Sequence, residues 1–261
     1  MRSLSTGATG MMAQQLNVEV ISNNIANMST TGFKRQRAEF QDLLYQNMRR
    51  PGSTSSDANT IVPSGIQIGV GVRTAGVYRI HEQGNLTTTG NTYDLAISGK
   101  GYFQVTLPSG ETSYTRAGSF QVNAQGQIVT VDGYLLNPAI TVPQGALSVN
   151  IDATGIVEAR IAGQTNAQQL GQIQLATFVN EAGLEATGDN LYLETAASGQ
   201  PTVGNPNAVG FGVLRQGYVE TSNVNPVQEI TNLITAQRAY EMNSKIITAS
   251  DEMLQTATRL R

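Results

Sequence analysis

The two ends of this chain match each other and differ from everything between them, a pattern that rules out a simple all-helical or all-β fold. Roughly the first 28 residues and the last 36 carry apolar side chains at helical spacing; the ~190 between them are rich in Gly, Thr and Asn and alternate like β-structure. The expected fold class is therefore α+β. Long N- and C-terminal helices would pair as a coiled-coil-like inner domain, beside a central, mostly antiparallel β-domain and a long extended insertion. Such a chain suits packing against further copies of itself. The plainer alternative is that the two termini pair within one domain.

At the N-terminus, Leu4, Met11, Val18 and Ile25 recur every seven residues, with Met1, Ala8, Ile21 and Met28 completing steps of three and four. The helix is intrinsically poor. Gly7 and Gly10 each cost about 0.5–1 kcal/mol relative to alanine, and Ser22, Asn23 and Asn24 favour caps and turns. The segment is marginal alone and relies on packing. At the C-terminus Leu233, Tyr240, Ile247 and Leu254 repeat every seven residues, and no proline or glycine interrupts the chain from Val227 to Arg261. Pro226 suits the first helical turn and Asn225 the cap before it. These two rows are the expected packing faces. Both ends are close to charge-neutral, so many copies can be brought together without repulsion.

The middle opens on residues 34–50, where a short helix is expected around Phe40, Leu43 and Leu44. Residues 51–65, with two prolines and two glycines, read as an extension ordered by a partner. From Ile66 onward short β-rich runs (IQIGVGV, LAISG, YFQVTL, SFQV, QIVTV, GYLL, IQLATFV, NLYLE) are separated by turns. Those turns fall at Pro108–Gly110, Asn123–Gly126, Asp132-Gly133 and Glu181–Gly183. Such spacing argues for an antiparallel barrel or sandwich.

Function classes can be excluded from residue types. With no cysteine there are no disulfides, thiolate metal sites or Cys nucleophiles. His81 is the single histidine, which excludes His-based metal clusters; no Gly-x-Ser-x-Gly elbow accompanies it. Gly99-Lys100-Gly101 lacks the earlier glycine and the following Ser or Thr of a phosphate loop. No cofactor, metal or catalytic residue is expected. The basic cluster Lys34, Arg35, Arg37, Arg49 and Arg50 has few interleaved aromatics beside an acidic body, so a subunit-contacting face is favoured over nucleic acid. No segment is apolar enough to span a bilayer, and the N-terminus lacks signal-peptide features.

The segment from Ser22 to Lys34 (SNNIANMSTTGFK) resembles the N-terminal signature of the bacterial flagellar rod and hook family, matching at Asn24, Ala26, Asn27, Thr30, Gly32, Phe33 and Lys34. Physically, Asn and Ser end a helix, Gly32 permits a sharp reversal, and Phe33 anchors the chain as it leaves. Further blocks resemble the same family: Asp94–Phe103, Tyr114–Phe120, Gly217–Val224 and Gln237–Glu241. Ala117 departs from the Asp common there. The length, and the stretch from Tyr45 to Arg73 containing Pro51, Gly52, Ser53, Pro63 and Gly65, resemble members that build the distal rod.

The resemblance implies a non-enzymatic subunit that polymerises into a hollow rod spanning the periplasm and carries torque from motor to hook. It implies four segments: 1–33 and 224–261 as helices of an inner polymerisation domain, 34–72 as a rod-specific insertion that reaches neighbouring subunits, and 73–223 as the β-body. The implied partners are copies of itself, proximal rod and hook subunits at its ends, outer-membrane and peptidoglycan ring proteins around it, and the flagellar export apparatus. Export would proceed without a cleaved signal; neither nucleic acid nor membrane insertion is implied. The alternatives are a proximal rod or hook subunit and, in a different class, a secreted coiled-coil adhesin.

Overall fold

The structure is a computed structural model, and it describes residues 2–51, 64–163 and 166–259. The chain divides into two units: residues 1–25, 36–78 and 226–261 in one, 26–35 and 79–225 in the other.

The first unit holds the two terminal helices, α1 (Arg2–Ala26) and α2 (Pro226–Arg259). α2 opens on the proline, whose preset φ suits the first turn and whose missing N–H is no loss there. The glycines that weaken α1 sit where the helices meet. A Cβ on Gly7 would lie 2.9 Å from Ile247 Cγ1, and one on Gly10 would lie 2.9 Å from Asn243 Nδ2. At α1's other end Asn24 donates to Glu229 Oε2 at 3.4 Å. Partner numbers fall as α1 numbers rise, so the contacts run antiparallel.

The same unit contains two strand pairs: Gln36–Asp42 with Val72–Arg79, and Tyr45–Arg49 antiparallel to Ile66–Gly69. The helix expected around Phe40, Leu43 and Leu44 is therefore strand or its connection. Half-buried Gln36, Ala38 and Phe40 alternate with exposed Arg37, Glu39 and Gln41, which is the strand period. Leu43 N then bonds Gly71 O at 2.9 Å, a pairing across 28 positions that local propensity cannot announce. The expected partner-ordered extension at 51–65 falls mostly outside the described residues, as do Gly52, Ser53 and Pro63.

The second unit is the β-body. Its central strand, Tyr102–Thr106, is paired along one edge with Thr112–Thr115 and along the other with Leu135–Asn137 and Leu175–Thr177 end to end. Phe120–Val122 and Ile128–Thr130 continue one side; Leu191–Leu193 and Glu185–Gly188 continue the other. Ala146–Ile151, Ile156–Ile161 and Gln168–Gln172 form a separate antiparallel meander. Leu95–Ser98 pairs with Val213–Gln216, and Leu86–Thr88 with Tyr218–Glu220, so chain from before and after the sheet is joined in ladders. The core lies around Leu95, Ile97, Phe103, Phe120, Leu136 and Leu175, all at most 1% exposed. Alternation along the central strand sends Phe103 into that core and Tyr102 into an aromatic cluster with Tyr114, Phe178 and Tyr192. The turns expected at residues 108–110, 123–126 and 132–133 are present, each closed by a glycine at positive φ.

Candidate functional site: a buried ionic junction

Within the second unit, four stretches far apart in sequence converge on one cluster of charges. The first is the reversal after α1. Thr30 N bonds Asn27 O at 3.2 Å, and Gly32 N bonds Glu220 O at 2.8 Å. Gly32 sits at φ +70°, and a Cβ there would lie 2.6 Å from Ala117 N, so the position accepts glycine alone. The reversal delivers Lys34, whose Nζ donates to Glu220 Oε1 at 2.6 Å and Glu82 O at 2.7 Å. Glu220 ends the strand Tyr218–Glu220 and also accepts from Gly84 N at 2.9 Å. Arg116, just past Thr112–Thr115, places Nε 3.3 Å from Glu220 Oε2. Its Nη1 and Nη2 donate to Gly101 O at 2.7 Å and Gly99 O at 2.8 Å. Lys34 and Glu220 are each 1% exposed and Arg116 is 4% exposed.

Neighbouring groups complete the junction. Asn223 Oδ1 accepts from Arg35 N at 2.8 Å while its Nδ2 donates to Ile80 O at 2.9 Å, lacing the two chain ends to the segment between them. The Arg116 guanidinium stands 5.7 Å from the Tyr102 ring centroid. The Tyr102 hydroxyl shares a 2.7 Å hydrogen bond with His81 Nδ1.

Two buried cations face one buried carboxylate, with half-buried Glu181 a weaker negative neighbour at the adjoining cavity. Burial holds the Lys34 ammonium below its ordinary value; Glu220 opposes this and Arg116 reinforces it. Burial, then Lys34, Arg79 and Arg116, lower His81 to about 4, so the ring is neutral at neutral pH. Burial also pushes the Tyr102 phenol up, well away from ionisation.

This arrangement fastens segments together. A cavity of about 270 Å³ opens beside it, lined by His81, Gly99, Lys100, Tyr102, Arg116 and Glu181. Arg116 Nη1 and Nη2 there already donate to two carbonyls while Nε stands against Glu220 as an ion pair, and His81 is held by Tyr102. Among the described residues no three His, Cys, Asp or Glu side chains gather to hold a metal.

The terminal helices present a second surface. Leu4, Met11, Val18 and Ile25 are all half-buried, as are Leu233, Ile247 and Leu254; Tyr240, at the same spacing, is 42% exposed in the single chain. The deepest α2 positions are instead Glu229, Ala236 and Ser250. The apolar side chains Val227, Ile230, Ile234, Met242, Ile246 and Met253 lie exposed on other faces of the helix.

Of the signature residues, Asn24 is buried and bridges Gln36 through its amide, Nδ2 to O and Oδ1 from N, both at 2.8 Å. Ala26 is the exposed last residue of α1, Asn27 accepts from Thr30 Oγ1 at 3.2 Å, and Phe33 is half-buried. Pro51 is exposed, and Gly65 faces Arg49 O so closely that a side chain has no room. The sequence reading assigned no role to Arg116, Glu220, Asn223 or Glu229. The first three fall inside the family-like blocks, and charged groups in a chain only 13% charged are the signal that singles out Arg116 and Glu220.

The chain matches three family descriptions: flagella basal body rod protein over residues 4–34, flagellar hook protein FlgE/F/G D1 domain over 96–159, and flagellar basal body rod FlgEFG protein C-terminal over 215–260. It is similar to the flagellar basal-body rod protein FlgG of Caulobacter vibrioides, 62% identical with both chains fully covered. It is 55% identical to FlgG of Agrobacterium fabrum over 97% of each chain. It is 33% identical to the rod protein FlgF of Caulobacter vibrioides, over 98% of this chain and 96% of that one.

Proposed function

Because this chain belongs to the flagellar basal-body rod protein family, it is a structural subunit of the flagellar rod, and we propose how its parts serve that role. It is a component of the distal rod, not an enzyme. Identity of 62% to FlgG against 33% to FlgF, in the same organism, disfavours the other rod positions.

The terminal helices pair as a coiled-coil-like inner domain and stack with those of neighbouring subunits around a central channel. The β-body forms the outer wall, and the segment around 34–72 reaches adjacent subunits and stiffens the rod. Proximal rod and hook subunits meet its ends, ring proteins of the outer membrane and peptidoglycan surround it, and the flagellar export apparatus delivers it to the periplasm.

The observation that carries this reading is the exposed apolar set on α2. Val227 is 75% and Met253 65% exposed, with Ile230, Ile234, Met242 and Ile246 all above 40%. A helix that leaves this much apolar surface in water gains about 25 cal/mol for each Å² a neighbour covers. The test is assembly of Ile230→Ser/Ile246→Ser in the full chain, followed by electron cryomicroscopy. Loss of tubes with an unchanged monomer supports the reading; normal tubes from that variant overturn it.

A further inference from the structure

We propose that the α2 row Glu229, Ala236, Asn243 and Ser250 is a register-setting face, which accepts α1 in one antiparallel alignment and rejects shifted or homotypic partners. The row repeats every seven residues, as a helix–helix seam does, yet it holds two polar groups and two small ones. Beside it Ile247 meets α1 at Gly7 and Leu233 and Leu254 are half-buried, so this row adds selectivity to the apolar contact.

Each polar member demands a particular neighbour. The Glu229 carboxylate, 4% exposed, takes the amide of Asn24, itself fixed by both bonds to Gln36. The Asn243 amide occupies the space left by the missing side chain of Gly10. Fourteen residues separate Gly10 from Asn24, and fourteen separate Glu229 from Asn243, so both contacts are satisfied in the same alignment.

Sliding α1 by one turn in one direction sets Glu229 against Val20 or Ile21, leaving a buried carboxylate without a donor. A slide of one turn the other way carries Glu229 past the end of α1 at Ala26. A full heptad slide in one direction takes Asn24 beyond the start of α2 at Pro226 and sets Glu229 against Asn17, whereas it is Asn24 that Gln36 holds in position. In the other direction it sets Asn24 against Ala236 and carries Glu229 past the end of α1. Two parallel copies of α2 meeting through this face would bury two Glu229 carboxylates together. The inference does not depend on the rod reading.

The chain contains no cysteine, so disulfide trapping is clean. Three full-length variants each carry Gly10→Cys, combined with Asn243→Cys, Ala236→Cys or Ser250→Cys. The last two partners lie one heptad either way, about 10.5 Å along the axis and out of reach without a slide. After mild oxidation, non-reducing gels separate intrachain bonds from dimers. The Asn243→Cys pair is expected to close at least ~10-fold more than the Ser250→Cys pair, in which Glu229 loses its donor, and to exceed the Ala236→Cys pair, in which Asn17 takes the place of Asn24. In a Glu229→Leu background the shifted pairs should rise to within ~3-fold of it, with Glu229→Gln, which retains an oxygen for Asn24, preserving the preference. A preference that survives Glu229→Leu overturns the proposal. So does failure of the Asn243→Cys pair to close in the otherwise native chain.

Discussion

Replacing Glu220 should damage the body far more than replacing Lys34, although the two are partners in one 2.6 Å ion pair. Glu220→Gln leaves Lys34 and Arg116 buried as two cations with only the half-buried Glu181 nearby to oppose them. Removing one member of a buried pair typically costs about 3–5 kcal/mol. The ceiling at pH 7 is set by Lys34 shedding its proton, which from an ordinary 10.5 costs about 5 kcal/mol at 1.36 kcal/mol per pH unit. Lys34→Met, in contrast, leaves Glu220 with Arg116 at 3.3 Å and Gly84 N at 2.9 Å, a neutral pair. Its cost is the lost charged hydrogen bonds of Lys34, with Glu82 O still accepting from Asn223 Nδ2 at 3.1 Å, about 1–3 kcal/mol. Adding Lys34→Met to Glu220→Gln should then restore stability, because it removes one of the stranded cations. The assay is urea unfolding followed by the near-ultraviolet circular dichroism of the body's buried tyrosines, in a chain with no tryptophan to obscure them. With a slope of about 2 kcal/mol per molar urea, Glu220→Gln should move the midpoint by about 2 M and Lys34→Met by about 1 M. Equal losses from the two single variants, or a double variant weaker than Glu220→Gln, would refute the two-cations-to-one-carboxylate account.

The His81 ring supplies a pH signature. Its pKa is lowered to about 4 in the folded chain against 6.5 unfolded, so below 6.5 the unfolded chain binds the extra proton. Stability should therefore fall as pH drops from 6.5 towards 4, by at most about 3 kcal/mol, and His81→Gln should remove that part of the slope in pH-resolved melts. Gly32→Val should cost about 2–4 kcal/mol, combining a disfavoured positive φ with the clash at Ala117 N; a midpoint within 0.3 M of the parent, on the order of measurement error, refutes it. Ile247→Asp puts a carboxylate in the space facing Gly7 and should abolish polymer in sedimentation assays while the body's unfolding midpoint stays put.

The helices and the principal strands were legible because their apolar spacing is local. Pro226 fixed the start of α2 by its own backbone chemistry, and the glycines at positions 110, 126 and 133 fixed turns that demand positive φ. What stayed hidden depends on partners distant in sequence. The strand Gln36–Asp42 needs Val72–Arg79, and Gln168–Gln172 has no β-branched residue of its own, taking its conformation from Ile156–Ile161. Apolar heptad spacing did not single out Glu229 and Ser250, which are buried in the single chain because of what α1 and its neighbours place over them. The sequence marked Lys34 as part of a signature, but not its role. Its partner stands 186 positions away, and only the fold reveals that the signature blocks bring two cations onto one buried carboxylate.

That separation has a consequence for synthesis and quality control. The carboxylate that neutralises Lys34 and Arg116 is among the last residues of the body to be made, in the final sixth of the chain. A product that stops before residue 220 has both cations without their buried carboxylate, so its body cannot close at full stability and stays open to proteolysis. Closure of the body at full stability therefore waits on residue 220, the group that its two earlier cations share.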